Sequence, residues 1–493
     1  MDARFDGRTV LVAGLGLSGR AAAQVLRDRG AQVVTYDDRA PGADHTDAAA
    51  LAAAGLAGAD LVVTSPGLPP SHPVLAAARA ADVPVWSEVE LAWQVRVPRD
   101  GGDGEPASWL AVTGTNGKTT TVGMLESILR AADRRTLAVG NVGTPVVLAA
   151  TDPTLEVLAV ELSSFQLHHT HSMSAQAAAV LNVAPDHLDW HGSLDAYAAD
   201  KGRILERAQV ACVYDVSDPV TEGLVREAEV VDGCVAVGFT LGTPGVGQVG
   251  LVEDVLVDRG FARLRHTHAA ELGTLADLAQ LAGPGGVVPP HVVRNALAAA
   301  ALALAHGVDP VHVRGGLRAF APGAHRIVTV GRLDDVAYVD DSKATNAHAA
   351  SASLAAFEPG SVVWVAGGLA KGAEFDELVR TRRDRLRGVV LIGVDRAPLR
   401  DALARHAPDV PVIEVDAGDT GPVMTRAVDN ARRLAAGAPS GVPVTVLLAP
   451  ACASMDQFTS YAARGDAFAA AVGAAAGSDG ADGGRARTAD GTP

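Results

Sequence analysis

Two glycine-rich segments constrain the fold of this chain most, because each stands between a short apolar run and a helical stretch. The segment 14–19, Gly-Leu-Gly-Leu-Ser-Gly, follows the β-branched run 9–12, and the segment 113–121 follows the run 109–112. A strand that enters a glycine loop and then a helix begins a parallel α/β unit, and its loop amides and helix dipole suit a phosphate group. We therefore predict an α/β protein with two phosphate-binding loops.

Length and charge limit the classes of protein that remain. At about 150 residues per domain, 493 residues correspond to roughly three domains. The formal net charge of −16 argues against nucleic-acid binding, which needs a basic face. No apolar run is long enough to span a bilayer, and the N-terminus lacks a secretory pattern, so we expect a cytoplasmic protein without membrane insertion. The three cysteines form no CxxC pair, which argues against a zinc ribbon.

Two clusters of glycine and proline divide the chain into three blocks of alternating strands and helices. They lie at 98–106 and 321–324, and the C-terminal stretch is rich in Gly, Asp, Ala and Arg without an apolar period. The predicted domains are 1–105, 106–322 and 323–475, followed by a disordered tail at 476–493.

The first glycine loop fits more than one ligand. Leu17 and Ser18 lie in the loop, while Asp37 and Asp38 close the next strand, where an acidic partner of a ribose is expected. The pattern requires only a pyrophosphate and a sugar, so a dinucleotide and a UDP-sugar both satisfy it, and a plain tight turn is a third interpretation. An NAD-dependent oxidoreductase stays open at this point.

The second loop is more specific, although Val112 stands where the rule G-x-x-x-x-G-K-[ST] has its first glycine. Its amides can cradle phosphates, the Lys118 ammonium can reach the β- and γ-phosphates, and the Thr119 hydroxyl can bind Mg²⁺. Glu161 ends the apolar run 157–160, which favours a metal ligand over an ordinary strand-end acid. His187 and His191 suggest a zinc pair, but no clear third ligand accompanies them.

Three motifs, in this order along the chain, resemble those of the Mur ligase family. They are Thr-Gly-Thr-Asn-Gly-Lys-Thr-Thr at 113–120, Glu-Leu-Ser-Ser-Phe-Gln-Leu at 161–167 and Asn-Val-Ala-Pro-Asp-His-Leu-Asp at 182–189. The resemblance implies an ATP-dependent amide ligase. It also implies a Rossmann-like N-terminal domain, a central P-loop-type ATPase domain and a Rossmann-like C-terminal domain.

The resemblance assigns roles to individual residues. It implies that ATP is bound by Gly114, Thr115, Asn116, Gly117, Lys118, Thr119, Thr120, Arg326 and Asp341. It implies that the UDP part of the acceptor is bound by Leu17, Ser18, Asp37, Asp38, Ser65, Pro66, Gly67, Asn141 and His187. Two Mg²⁺ ions are implied at Thr119, Glu161, His187 and Lys201, with Lys201 carbamylated so that a cation becomes an anionic oxygen ligand. The implied catalytic residues are Lys118, His187, Lys201 and Lys343.

Segments 14–19, 340–346 and 449–465 are similar to the branch of this family that adds D-glutamate. That similarity implies UDP-N-acetylmuramoyl-L-alanine as the acceptor, ATP and D-glutamate as co-substrates, a monomer, and a step in the synthesis of peptidoglycan precursors. The residues implied to bind D-glutamate are Lys343, Thr345, Lys371, Ser454, Met455 and Tyr461. Their ammonium, hydroxyl and backbone donors suit a diacid.

Other functions stay open beside this interpretation. Another Mur ligase could add a different amino acid, and a P-loop ATPase could drive a partner protein. Two positions depart from the family pattern. Tyr461 stands where phenylalanine is also seen, a mild change, and Val292 stands where an asparagine near the nucleotide is usual. The contacts to adenine are therefore expected to differ.

Overall fold

The computed structural model describes residues 5–482 except 103, 142, 283–285, 322, 324, 326, 417–419 and 437–442. Among these residues the chain forms three sheets with helices between their strands, which confirms the predicted α/β class. It divides into two compact units, Met1–Gln280 with Pro290–Ala321 and Leu281–Pro289 with Pro322–Pro493. The domain boundaries near 105 and 322 stay predictions.

The first sheet is parallel, with four strands in the order β2-β1-β3-β4 among the described residues. These strands are β1 (Thr9–Ala13), β2 (Gln32–Tyr36), β3 (Leu61–Thr64) and β4 (Val85–Ser87). The helices that accompany them are α1 (Leu17–Asp28), α2 (Ala48–Ala53), α3 (Pro73–Ala80) and α4 (Glu88–Gln94), with a 3₁₀ turn at Leu56–Gly58. The aliphatic run of β1 is fully buried, as expected for a central parallel strand covered on both faces.

The second sheet belongs to the same unit. Its strands are β5 (Ser108–Thr113), β6 (Thr136–Gly140), β7 (Val157–Glu161), β8 (Ala177–Val180), β9 (Ala211–Asp215), β10 (Val235–Phe239), β11 (Gln248–Val252), β12 (Val255–Asp258) and β13 (Ala270–Thr274). They follow the order β13-β12-β11-β10-β9-β8-β5-β7-β6. Strands β5 to β9 pair in parallel, and β12 is antiparallel to both of its neighbours.

Helices cover this sheet, and two of them pack against the helix that follows the second glycine loop. The helices are α5 (Lys118–Ala131), α6 (Val146–Ala150), α7 (Ser164–His168), α8 (Leu188–His191), α9 (Leu194–Gly202), α10 (Pro219–Glu227), α11 (Pro290–Ala305) and α12 (Pro310–Ala319), with 3₁₀ turns at Arg203–Leu205 and Leu275–Leu281. Both α11 and α12 pack on α5. In the ranges that the structure describes, no helix combines the length and apolarity needed to cross a membrane.

Helix α4 joins the first sheet to the second through two buried carboxylates. Glu90 accepts the backbone N–H groups of His171 and Ser172 at 2.8 and 2.9 Å. Glu88 Oε1 accepts the Val147 N–H at 2.6 Å in the first turn of α6, and burial raises the pKa of Glu88 to about 7. The loop that leads into α6 is thereby fixed beside the end of β6.

The third sheet forms the core of the second unit, in the order β14-β15-β19-β16-β17-β18. Its strands are β14 (Val328–Leu333), β15 (Val336–Asp340), β16 (Val362–Gly367), β17 (Leu386–Ile392), β18 (Val412–Glu414) and β19 (Thr445–Leu448). Its helices are α13 (Ala347–Leu354), α14 (Asp376–Arg382), α15 (Ala397–His406), α16 (Thr420–Ala436) and α17 (Tyr461–Asp482), with a 3₁₀ turn at Arg383–Arg385. Helix α17 continues past 476, where the tail is predicted to begin, and residues 483–493 lie outside the described residues.

Gly315 and Gly316 are neighbours on α12 and form a matched pair for testing its packing on α5. A Cβ at Gly316 would stand 2.3 Å from Ile128 Cα, whereas a Cβ at Gly315 would stand 3.8 Å from Ala131 Cβ. We expect Gly316→Ala to lower the free energy of unfolding by about 1–3 kcal/mol through overpacking. We expect Gly315→Ala to raise it by about 0.5–1 kcal/mol, because alanine favours a helix. Urea denaturation checks both, and equal stability of the two variants would contradict this packing.

Candidate active site

Four neighbouring parallel strands of the second sheet place candidate residues at one edge. Strand β5 pairs with β8 on one side and β7 on the other, and β6 lies beyond β7. Glu161 ends β7 opposite Val112 and Gly140, while Asn141 follows β6 and Asn182 follows β8. Ligands of parallel α/β sheets bind at the carboxyl ends of the strands. This edge is therefore the candidate site of the first unit.

The second glycine loop has a backbone that only glycine adopts without strain at two positions. Gly114 and Gly117 have φ values of +156° and +85°. A Cβ at Gly117 would stand 2.4 Å from Asn295 Oδ1, so the α11 amide lies directly against the loop. We did not predict Asn295, although a buried amide in a largely apolar helix is a signal for such a contact. Val292, which departs from the family pattern, is buried on the same helix.

Asn182 holds the loop in shape. Its Oδ1 accepts the Asn116 N–H at 2.9 Å, and its Nδ2 donates to the Asn116 carbonyl at 3.1 Å. The Thr115 N–H donates to the Asn182 carbonyl at 3.0 Å, and the Thr115 hydroxyl bonds to both backbone groups of Ala184. The motif at 182–189 therefore braces the loop as well as carrying His187.

Two lysine ammonium groups meet at one backbone oxygen. Lys118 Nζ donates to the Gly114 carbonyl at 2.7 Å, and Lys201 Nζ donates to the same carbonyl at 2.9 Å. Lys201 is only 1% exposed, and its Nζ lies 4.3 Å from the centre of the Tyr197 ring. Burial, and then repulsion from Lys118, hold the pKa of Lys201 well below its ordinary value. This amine is therefore shifted toward its neutral, nucleophilic form.

Glu161 supplies a buried carboxylate beside the loop. Its Oε1 accepts from Asn141 Nδ2 at 2.9 Å, whereas Oε2 is buried and has no hydrogen-bond partner in the part of the chain that the structure describes. A buried carboxylate oxygen without a partner is costly unless a cation binds it. Glu161 thus fits the predicted Mg²⁺ ligand, with Thr119 in the first turn of α5.

The zinc interpretation of His187 and His191 is not supported. Both ring nitrogens of His191 are engaged, Nδ1 with Asp200 at 2.9 Å and Nε2 with Ser164 Oγ at 3.0 Å. His187 packs its ring on Phe165, with the ring centres 4.8 Å apart. Among the described residues, no group of three or more His, Cys, Asp or Glu side chains is arranged to hold a metal ion.

The first glycine loop is ordered by Asp37. Its Oδ2 accepts the Leu15 N–H at 2.6 Å, and its Oδ1 accepts the N–H groups of Arg39 and Ala40. These bonds, that from Leu15 first, lower the pKa of Asp37. We expected Asp37 to meet the ligand, and the structure adds that it shapes the loop.

The other residues predicted for the UDP part lie around the same loop, apart from Asn141 and His187. Leu17 and Asp38 are exposed and Ser18 is half-buried. A Cβ at Gly14 would stand 2.5 Å from Ser65 Cβ, so the turn formed by Ser65, Pro66 and Gly67 lies against it.

In the second unit, the turns after β15, β19 and β16 carry the predicted D-glutamate residues. Lys343 Nζ lies 4.0 Å from the centre of the Tyr461 ring, and the Thr345 N–H donates to the Lys343 carbonyl. Ser454 is buried, Met455 is exposed and Lys371 has a left-handed φ of 51°. Of the two residues predicted to reach ATP from here, Asp341 accepts from the Ser353 hydroxyl, and Arg326 lies outside the described residues.

We did not predict Arg464, which connects two of these turns. It is 1% exposed, and it donates to the Ser342 hydroxyl and carbonyl, both at 2.9 Å, and to the Cys452 carbonyl at 3.1 Å. A buried guanidinium with all its partners on the backbone turns beside Lys343 and Ser454 fixes their spacing. Arg464 is the only basic residue of the stretch 461–473, and this is the signal that could have indicated it.

Comparison with known proteins shows which family the chain is similar to. The family model "Mur ligase middle domain" matches residues 112–303, and "Mur ligase MurD-like, N-terminal domain" matches residues 8–87. A protein of Streptomyces coelicolor named UDP-N-acetylmuramoylalanine--D-glutamate ligase is 57% identical over 485 residues, covering 96% of this chain and 99% of that protein. These matches confirm the resemblance predicted from the motifs.

Solved structures share the fold at low sequence identity. UDP-N-acetylmuramate-alanine ligase MurC from Thermotoga maritima matches with a TM-score of 0.54 at 17% identity, covering 95% of this chain and 99% of that one. The MurF ligase of Thermotoga maritima, in complex with ADP, matches with a TM-score of 0.52 at 16% identity, covering 96% of each chain. At these identities the likeness establishes the fold alone.

Asn182→Leu tests the bracing of the phosphate loop. The change removes both side-chain hydrogen bonds to Asn116, so we expect affinity for ADP, measured by calorimetry, to fall roughly tenfold or more. Asn430→Leu, on α16 of the second unit, is the matched control and should bind ADP as the wild type does. Wild-type affinity in Asn182→Leu would show that the loop keeps its shape without this clamp.

Proposed function

The chain belongs to the Mur ligase family, and we propose that it joins D-glutamate to UDP-N-acetylmuramoyl-L-alanine with ATP, in the synthesis of peptidoglycan precursors. The observation that carries the chemistry is the phosphate loop with two lysines at the Gly114 carbonyl and a buried carboxylate, Glu161, nearby. The choice of amino acid rests on the 57% identity to the relative of that name. Family membership sets aside the oxidoreductase and the partner-driving ATPase.

The reaction divides into two transfers. An oxygen of the acceptor carboxylate attacks the γ-phosphorus of ATP, the bond to the β-phosphate oxygen breaks, and an acyl phosphate and ADP result. The D-glutamate amine then attacks the acyl carbon, loses a proton, and inorganic phosphate leaves. The chain holds the phosphates by the amides of the loop 114–117 and by Lys118, because both reactants of the first transfer are anions that repel each other.

Mg²⁺ fits the donors of this site. Thr119, Glu161, His187 and Lys201 are the proposed ligands, and the unpartnered Oε2 of Glu161 is the observation that supports them. When bound, Mg²⁺ neutralises phosphate charge and polarises the γ-phosphoryl group. ATP as the nucleotide is also supported by the ADP bound to the structural relative MurF.

We also propose that Lys201 is carbamylated, and its environment supports this. The neutral amine attacks CO₂, one proton leaves, and the product is an N-carboxylate anion. The lowered pKa supplies the neutral amine, and replacement of one of two neighbouring cations by an anion relieves the repulsion from Lys118. An arginine could not take this role, because its guanidinium stays protonated.

D-glutamate is assigned to the second unit. Lys343 and Lys371 supply ammonium groups for its two carboxylates, and Thr345, Ser454, Met455 and Tyr461 complete the proposed pocket. The monomeric state and the cytoplasmic location stay predictions.

Amino-acid choice tests the function directly. We expect phosphate release from ATP to require both UDP-N-acetylmuramoyl-L-alanine and D-glutamate, and to stay near background with L-alanine or a diamino acid. An amino acid without a side-chain carboxylate would leave a lysine of the D-glutamate pocket unpaired. The pocket should therefore discriminate strongly against it. Faster turnover with either alternative would refute the assignment to D-glutamate.

Lys343→Met tests the pocket within the second unit. Loss of one charged hydrogen bond costs about 1.5–3 kcal/mol, so we expect KM for D-glutamate to rise roughly 10- to 100-fold while KM for ATP changes little. Arg432→Met, a half-buried ion-pair residue of the same unit, is the control. A large rise in KM for ATP with an unchanged KM for D-glutamate would place Lys343 elsewhere.

Lys201→Arg tests the carbamate. The chain has four lysines, at 118, 201, 343 and 371, so a ¹³C-carbamate signal from labelled bicarbonate has few possible origins. We expect one such signal in the wild type and in Lys371→Arg, and neither the signal nor appreciable turnover in Lys201→Arg. A signal that persists in Lys201→Arg would exclude this residue as the carbamylated one.

A further inference from the structure

One buried carboxylate, Asp200, connects three short helices around the proposed phosphate site. Each helix follows or carries a site residue: α7 comes directly after Glu161, α8 begins after His187, and α9 carries Lys201. Nothing in the reaction itself requires an acid at position 200. The question is therefore what this carboxylate does there.

Asp200 uses both oxygens in these connections. His168 Nδ1, on α7, lies 2.8 Å from Oδ2, and His191 Nδ1, on α8, lies 2.9 Å from the same oxygen. Arg203 Nε donates to Oδ1 at 3.2 Å, which closes the cluster on the side of α9. The centre of the cluster is buried, since the side chains of Asp200 and His191 are 8% and 0% exposed, whereas His168 and Arg203 lie at its partly exposed rim.

The same cluster reaches back to the turn after Glu161. His191 Nε2 lies 3.0 Å from the hydroxyl of Ser164, the first residue of α7. Phe165 stacks on the His191 ring at an interplanar angle of 8° and packs its edge against His187. The position of His187 therefore depends on the same contacts that hold Asp200.

Asp200 also sets the rotation of α9. Successive side chains on a helix project about 100° apart, so Asp200 and Lys201 face different neighbours, while Tyr197 lies one turn before Lys201 on the same face. Tyr197 OH bonds to the Thr115 hydroxyl at 3.2 Å on the loop side. With Asp200 anchored on α7 and α8, the helix is fixed on two faces, and the Lys201 amine is directed at the Gly114 carbonyl.

We propose that Asp200 is a positioning residue, which fixes the Lys201 amine relative to Glu161 and His187 by holding α7, α8 and α9 together. The proposal rests on the proposed function. A buried ion cluster adds little to the free energy of unfolding, because well-packed apolar groups at the same positions often stabilise a protein as much. Directional bonds from three elements to one carboxylate, by contrast, define an orientation.

Asp200→Asn keeps the shape of the side chain and removes its charge. We expect kcat to fall by up to about 10²-fold, the scale of a displacement of about 1 Å at a reacting group, with KM for ATP nearly unchanged. The ¹³C-carbamate signal, read without any substrate, should weaken in parallel. Asp195→Asn is the matched control, since Asp195 is an exposed acid in the first turn of the same helix, and it should match the wild type in both measurements.

The proposal would be overturned if Asp200→Asn had the same kcat and the same carbamate signal as Asp195→Asn. A loss of kcat that only follows the unfolded fraction, measured by circular dichroism, would overturn it as well. If Asp200→Asn does not fold, two substitutions of His168 test the proposal instead, since its side chain is 28% exposed and tolerates a change more readily. His168→Asn keeps an N–H near the place of Nδ1 and should retain kcat, whereas His168→Leu should lose it. Equal kcat in the two would overturn the proposal.

The two measurements, kcat and the ¹³C-carbamate signal, distinguish a failure of this proposal from a failure of the proposed function on which it rests. A wild type with a carbamate signal but no D-glutamate ligation would refute the proposed function, and the signal in Asp200→Asn would still decide on Asp200. A wild type that ligates D-glutamate without a carbamate signal would refute carbamylation, and kcat would decide. A wild type that shows neither D-glutamate ligation nor a carbamate signal would overturn both the proposed function and the role of Asp200.

Discussion

The convergence of Lys118 and Lys201 on the Gly114 carbonyl is the contact on which the rest of the site depends. Both Lys118 Nζ and Lys201 Nζ lie within 2.9 Å of one oxygen, and Lys201 is almost fully buried, so a positive charge on both amines at once is unfavourable. Such a site favours anions, both the phosphates of a nucleotide and a carbamate on the buried lysine. The glycine backbone at 114, the Asn182 clamp and the anchoring of α9 all maintain this geometry.

The distribution of basic residues supports the same view. Among 41 basic residues the chain has only four lysines, and the proposed function gives a role to each of them. Elsewhere arginine carries the positive charge. A compact ammonium that can lose its proton is required at Lys201, and one that fits between loop carbonyls is found at Lys118. At positions 118 and 201, lysine therefore does what a guanidinium could not.

Sequence patterns predicted the parts of this fold and site that depend on local chemistry. Glycine loops after short apolar runs identified β1 and β5, and the apolar run ending in Glu161 identified β7. The strands β10 to β13 were not predicted, because their apolar runs are short and three of the four contain a glycine. Asn295 and Arg464 were missed because their partners are backbone turns distant in sequence. Asp200 was missed because its role depends on the meeting of three helices.

The fate of the acceptor carboxylate oxygen tests most directly whether the reaction passes through an acyl phosphate. UDP-N-acetylmuramoyl-L-alanine labelled with ¹⁸O in its alanyl carboxylate is converted with ATP and D-glutamate, and the released phosphate is examined by mass spectrometry. An acyl phosphate requires that one labelled oxygen leave with each phosphate, because the carboxylate oxygen that attacks phosphorus becomes the leaving group. Phosphate without label, released together with the amide product, would contradict the mechanism.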